Sequence, residues 1–408
     1  MCGKIFVTAV ALVVHASASD WPQFLGPARD GVYAEADLAD SWPKEGPPVT
    51  WQKKIGQGFS SPAVSSGKLI LFHRLADKEI VECLDANDGK SLWTRDYPAS
   101  YHDDFGFDEG PRATPTISDG KVFTFGAEGV VQSLDFDTGK KLWSANAKAE
   151  LEAPKGFFGM ACSPLVEGNA VLLNIGGANG AGIVAFDKTS GKLLWKSTDD
   201  GASYSSPVAA TLNGRRYAFF FTRRGLVALD PSNGREFFDF PWRPRIRASV
   251  SAATPLVIDD LVFLSASYQT GAVLLRVKED HVEKVWSADE VLSNHYATSV
   301  HHEGFLYGFD GRQEAGPNLR CVELKTGKVR WSEDGFGAGT VTLAGRRLLV
   351  LRENGELILT PASPDGFKPV ARAQILPQGV RAYPALAGGR LYARSKDTLV
   401  CVDLRKPK

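Results

Sequence analysis

The sequence predicts an all-β protein: an eight-bladed β-propeller of four-stranded antiparallel blades, closed by an N-terminal strand that completes the last blade. The first observation is compositional. The 408 residues include 41 Gly, 23 Pro, 23 Phe and 9 Trp with 43% hydrophobic residues, which leaves little room for long helices and favours short strands joined by many turns. The second is a repeat. A Pro preceded by Ser or Thr recurs at Pro62, Pro115, Pro164, Pro207 and Pro255, with degenerate copies at Ser299, Thr340 and Pro384. The steps of 53, 49, 43, 48, 44, 41 and 44 residues are those of a propeller blade, not of a helical repeat. The third is a turn in phase with it. Asp85, Gly89 and Trp93 stand at offsets 0, 4 and 8, and the spacing returns at Asp135, Gly139, Trp143; Asp187, Gly191, Trp195; Asp230, Gly234, Phe238; and Glu323, Gly327, Trp331. An acid there accepts backbone N–H groups, the Gly takes a positive φ in a bulged hairpin, and the aromatic lies on the next strand.

In chain order, residues 1–18 read as a signal peptide, with Lys4 as the charged start, residues 5–14 as the apolar run and Ala16-Ser17-Ala18 as the cleavage site. That run is too short for a mature membrane span, which needs roughly 20 apolar residues. The mature chain is therefore expected to be exported, periplasmic or extracellular, with no transmembrane segment, and to be a monomer. Residues 19–48 form a Pro-rich arm and residues 49–408 the propeller. A unit such as 114–143 holds four apolar runs separated by turns at Asp119-Gly120, Ala127-Glu128-Gly129 and Asp137-Thr138-Gly139, the pattern of a meander. The last unit, 383–404, has three runs and no final Trp strand, while Val49-Thr50-Trp51 is an extra run before the first unit. The N-terminal strand is thus expected to close the ring and hide the edges of an open sheet. Cys83, Cys321 and Cys401 occupy a column held elsewhere by Ser133, Ala185 and Ala228, a site for a small side chain, and are read with Cys162 as buried free thiols. The balance of 47 basic against 47 acidic residues excludes a nucleic-acid binder that works by counterion release.

The phrases 133–143, 185–195 and 321–331 resemble the PQQ-like (pyrroloquinoline-quinone-like) propeller repeats, which occur in quinoprotein dehydrogenases and in BamB-like outer-membrane assembly proteins. The resemblance covers residues 49–404, and the opening Trp21-Pro22-Gln23-Phe24-Leu25-Gly26-Pro27 looks like the lead segment of exported members. It implies the propeller fold. For activity it implies two classes. One is a non-catalytic exported propeller binding a protein, peptide or glycan of the cell envelope on its variable face. The other is a PQQ-dependent oxidoreductase holding PQQ and calcium over the axis; the vicinal Cys pair of many such enzymes is missing here. The non-catalytic class, without cofactor or metal, is the expectation.

In a propeller meander the inter-blade connections and the second-to-third-strand turns emerge on one face. That face carries the long, unlike loops 97–112, 149–161, 176–182, 240–252 and 308–318, and loops on a rigid scaffold are where binding residues concentrate. Residues just upstream of each Ser/Thr-Pro register line the funnel there: Phe59, Arg112, Tyr204, Tyr296 and Arg381, with His295 beside them. Arg offers a planar fork for carboxylate or phosphate, and Tyr a flat apolar face with a hydroxyl. These six are the ligand-binding candidates, the two Arg being expected to address one anionic ligand. The competing reading has the aromatics plug the channel and each Arg pair with a loop acid such as Asp103, Asp108 or Glu109. His102-Asp103-Asp104 with Asp108-Glu109 reads as a solvated acidic loop, since no known calcium-ligand spacing is present. His301 and His302, adjacent on a strand, point to opposite faces.

Overall fold

A tight turn every few residues keeps the strands short. In the computed structural model, which describes residues 20–35, 38–246 and 249–406, they form eight meanders. The expected signal peptide lies outside the described residues. Blades 1 to 7 occupy 63–98, 116–146, 165–197, 208–241, 256–288, 300–333 and 339–374, and blade 8 combines 385–403 with the N-terminal strand Val49–Lys54. That strand runs antiparallel to Thr398–Asp403, with Gln52 opposite Val400, so the ring closes as the missing fourth strand of the last unit requires.

The middle strands of each blade are buried almost throughout, and apolar side chains of adjacent blades meet in layers. Phe123, Phe125 and Val131 of blade 2, for example, pack against Val171, Val184 and Phe186 of blade 3. The outer strands are exposed except at their aromatic, which explains the repeat. A Cβ on Gly139, at φ 67°, would stand 2.5 Å from the ring of Trp93, the outer-strand Trp of the preceding blade. The Trp93 indole N–H donates to Phe136 O at 3.0 Å, in the same turn. Trp143 docks in the same way on Gly191 and donates to Lys188 O at 3.1 Å. At the ring junction Trp51 sits on Gly89 and donates to Ala86 O at 3.0 Å, so the closing strand supplies the same lock. In blades 1, 2 and 3 a bulge interrupts the outer pair at the Trp, and the turn acids accept backbone N–H groups, Thr138 N to Asp135 Oδ1 at 2.8 Å being one case. Cys83, Cys162, Cys321 and Cys401 are all buried and free.

The arm is not a lead-in outside the ring. Residues 20–33 enter the axial channel from the short-turn face and leave by that face. Asp20 accepts from Ser65 Oγ at 2.7 Å and from Ser66 N at 3.1 Å, in the first short turn of blade 1. Trp21 exchanges backbone hydrogen bonds with Val64, Pro22 O accepts from Ile117 N of blade 2, and Val32–Tyr33 adds a parallel strand to the inner edge of blade 7. Trp21, Leu25, Arg29 and Tyr33 are each at most 2% exposed. Arg29 crosses the axis: its Nη1 donates to Pro207 O of blade 4 at 2.8 Å, and its Nη2 donates to Pro164 O of blade 3 and to Thr116 Oγ1 of blade 2. Burial lowers its pKa to about 10, which leaves it charged near neutrality, held by carbonyl oxygens rather than by a carboxylate. Among the described residues no helix is long and apolar enough to cross a membrane.

Candidate functional site

The arm fills one end of the channel, and at the long-loop end the described residues leave a cup of about 370 Å³ whose lining includes Phe24 of the arm. Inner strands start beside the axis, so the residue just before each start faces the cup. Phe59, Arg112, Tyr204, His295, Tyr296 and Arg381 all line it. The structure therefore brings all six sequence candidates into one cavity.

Their chemistry differs from a bare pair of cations. Arg112 reaches Asp103 at 3.3 Å and donates to Asp108 O at 3.0 Å; Arg381 Nε donates to Glu353 Oε1 at 2.6 Å. Both guanidinium groups also stand near one ring, their carbons 5.7 and 5.3 Å from the Phe59 centroid, and Arg381 is 5.2 Å from the Phe107 ring. Each Arg is thus paired with an acid, as the competing reading expected, yet the channel is not plugged on this side. Among the described residues neither terminal nitrogen of Arg381 has a hydrogen-bond acceptor, on a side chain 20% exposed.

Tyr204 has a positioning role. Its hydroxyl oxygen accepts from Phe157 N at 2.7 Å and Phe158 N at 3.2 Å, which fixes the 149–161 loop over the cup. His295 lies between Gln313 N, 3.4 Å from its Nδ1, and the Tyr268 hydroxyl, 2.9 Å from Nε2. Burial pushes its pKa down to about 4, so the ring is neutral near pH 7, Nδ1 accepting and Nε2 donating. Tyr296 presents a buried hydroxyl with no hydrogen-bond partner.

The acidic segment is not a solvated loop. Asp103 and Asp108 are buried; Asp103 accepts from Phe105 N, Phe107 N and Asp108 N at 3.1, 2.9 and 3.0 Å and so shapes the turn that raises two Phe side chains. Phe105, Phe107 and Phe157 are 53%, 40% and 38% exposed, and with Phe158 they form a mutually contacting rim, centroids 5.2 to 6.5 Å apart.

The family model described as outer membrane protein assembly factor BamB matches residues 76–333, more than half of the chain. The chain belongs to that family. A curated member, the BamB of Moranella endobia (strain PCIT), is 22% identical over 273 residues, which are 62% of this chain and 65% of that protein's own length. Among solved structures, BamB from Moraxella catarrhalis superposes with a TM-score of 0.65 at 17% identity, over 88% of this chain and 98% of that one. Quinohemoprotein alcohol dehydrogenase from Comamonas testosteroni gives 0.67 at 16% identity, over 97% of this chain and 82% of that one. At such identities the superpositions establish a shared propeller and no more.

In this BamB-family chain the sequence reading missed the cup's Phe24, the Phe rim, Tyr268, the segment Arg312 to Glu314 and Glu353. The signal for the rim was present, since Phe105, Phe107, Phe157 and Phe158 stand in two long loops between turn residues, where no strand pattern demands an aromatic. Nothing local to Phe24 points to the axis.

Proposed function

We propose that this protein is an exported, non-catalytic propeller of the cell envelope that holds a partner protein on its long-loop face, in an assembly role of the kind named for its BamB relatives. One observation carries the reading. Among the described residues, apolar rings are exposed together only where the cup opens, and a buried network rather than chance exposure holds them there. Clustered exposed aromatics mark protein-binding surfaces, whereas scattered ones do not. The exposed rim is Phe alone, Phe105, Phe107 and Phe157, and offers no hydrogen-bonding group to sugar hydroxyls, which favours a polypeptide over a glycan.

The alternative, a quinone-dependent oxidoreductase, finds aromatic walls and arginines in the cup but no oxygen-rich set for calcium. Among the described residues no three His, Cys, Asp or Glu side chains converge on a metal site, and Asp103, Glu314 and Glu353 are each committed to an arginine. These donors do not fit a calcium–quinone pair. Added pyrroloquinoline quinone with calcium is expected to give no dye-linked alcohol oxidation, and turnover with stoichiometric binding would contradict the proposal.

The direct test places a photo-crosslinking residue at Phe157 on the rim or at the exposed Lys140 on the short-turn face, in envelope preparations. Crosslinks to one recurring protein from Phe157 and none from Lys140 are expected. Equal yields from both positions would overturn the assignment of the face.

A further inference from the structure

The ring's closing junction has a titratable group at its centre. Between the closing strand and blade 1 the chain passes through Gly56. Its N–H donates to His73 Nδ1 at 2.8 Å, and its carbonyl accepts from Arg394 Nη2 of blade 8 at 2.7 Å. A Cβ at Gly56 would stand 2.0 Å from Arg74 O, so only glycine fits there. His73, Glu82 and Arg394 are 3%, 8% and 1% exposed. The charged groups facing the imidazole come from three elements: Arg394 from blade 8, Lys53 from the closing strand, and Glu82 from blade 1, its Oε2 3.7 Å from Nε2. Glu82 is already engaged, its Oε1 lying 3.0 Å from Lys53 Nζ, and among the described residues the buried Nε2 has no hydrogen-bond partner. With Nδ1 accepting, the neutral ring carries its proton on Nε2. A second proton must go to Nδ1, where it meets the Gly56 N–H donor against donor, beside two cations and one shared carboxylate.

The segment that follows Gly56 holds the Phe-bearing loop. Gln57 and Arg74 exchange backbone hydrogen bonds at 2.9 and 2.8 Å, and Gln57 Oε1 accepts from Glu109 N at 3.1 Å. Arg74 Nη1 donates to Tyr101 O and to Glu109 O, the latter at 3.1 Å. Phe59 N and Ser60 N both donate to Pro111 O at 3.0 Å. Residues 101–111, which raise Phe105 and Phe107, thus have both feet on the junction. We propose that His73 is a proton-operated latch: near neutrality it holds Gly56 and with it the Phe-bearing loop, and in acid it lets both go, discharging a partner from the rim while the blades stay folded. The discharge rests on the partner-binding reading above; the latch rests on the junction alone. Burial, with Arg394 and Lys53 adding to it, lowers the His73 pKa from 6.5 to about 3. Between those values the released junction takes up a proton that the closed one refuses, so closure weakens as the pH falls below 6.5.

The test is hydrogen exchange read by mass spectrometry on the full chain at pH 7 and pH 5, corrected for the intrinsic pH dependence of exchange. Protection over residues 55–60 and 101–110 is expected to fall roughly twentyfold between the two, the effect of one imidazole whose free value is near 6.5. Residues 62–66, tied to the arm on the short-turn face, should keep theirs. His73→Asn retains an acceptor for Gly56 N but takes no proton, so its protection should be the same at both pH values. Lys53→Met frees Glu82 to accept from a protonated His73; the closed latch then takes the proton more readily, and the acid loss should shrink. An equal fall at residues 62–66, or an undiminished fall in both variants with melting at pH 7 intact, would overturn the proposal. Should His73→Asn not fold, Lys53→Met decides by itself. Crosslinking from Phe157 should drop at pH 5 in the unmodified chain, and crosslinks that persist with the loop released would overturn the discharge. If crosslinking fails at pH 7 while the exchange behaves as expected, the partner-binding reading falls and the latch stands.

Discussion

The two ends of one axial channel are built in opposite ways. At the short-turn end, residues 20–33 are stitched by backbone hydrogen bonds to blades 1, 2 and 7, and Arg29 donates to carbonyls of blades 3 and 4. At the long-loop end the inner residues hold one another through side chains, and three Phe rings are left in water. The meander already separates a face of long, unlike loops from a face of short turns. The chain adds to the difference by filling one mouth with its own segment, and it leaves the other open as the cup.

The largest expected effect comes from removing the filled end. Deleting residues 20–33 uncovers the sites of Trp21, Leu25 and Tyr33, side chains worth about 1.5–3 kcal/mol each when fully buried. A destabilisation of at least about 5 kcal/mol is expected in denaturant melts, and an unchanged midpoint would break the comparison. Arg29→Met is next. It leaves carbonyls of blades 3 and 4 without their donor, at an expected cost of about 3 kcal/mol.

The repeated turns allow a finer contrast. Gly139 and Gly120 have almost the same φ, 67° and 69°, but a Cβ meets the Trp93 ring at the first and nothing within 4 Å at the second. Gly139→Ala should therefore cost about 3 kcal/mol and Gly120→Ala about 1, since only the former adds overpacking to left-handed strain. Equal costs would deny the Trp lock.

Acid should weaken the long-loop side specifically. Burial, with Arg394 and Lys53 nearby, lowers His73 to about 3, and burial lowers His295 to about 4. Below the unfolded value near 6.5 the unfolded chain takes up protons that these two refuse, so stability falls as pH drops from 6.5 toward 4 and is regained above 6.5. His73→Asn keeps an acceptor for Gly56 N, which lies 2.8 Å from Nδ1, and should flatten this slope. An identical slope would contradict the assignment. Smallest in stability is Phe157→Ser, within about 0.5 kcal/mol for a side chain 38% exposed, although it should abolish partner crosslinking from neighbouring rim positions.

What the sequence made legible follows the same division. The blade count, the closing strand and the bulged Asp-to-Gly turns repeat, so one copy's physics could be checked against the others. The identity of the Gly's neighbour could not be read, because the Trp that packs on Gly139 comes from the preceding blade. The six funnel residues were legible because register places them just before an inner strand. Their partners were not: Glu353 reaches Arg381, and Phe24 reaches the cup, through tertiary paths that no spacing encodes. The pairing of the Pro-rich arm was not legible, because its partners lie far along the chain, Trp21 with Val64 (64 minus 21, 43 residues apart) being the nearest and Val32 opposite Leu343 a distant case. Asp103 read as solvated for a similar reason, since the donors that bury it are the backbone of its own loop.

The central claim, a channel sealed by the arm and open only at the cup, is tested most directly by native-state hydrogen exchange. The amides of Val64, Ile117 and Leu343 donate to the arm carbonyls of Trp21, Pro22 and Gly31 at 2.8, 2.8 and 2.9 Å. The account predicts that these three exchange as slowly as the middle-strand amides of blade 2, by opening of the ring as a whole. Exchange of the three at the rate of exposed loop amides, with the middle strands still protected, would show the channel open at both ends and would contradict it.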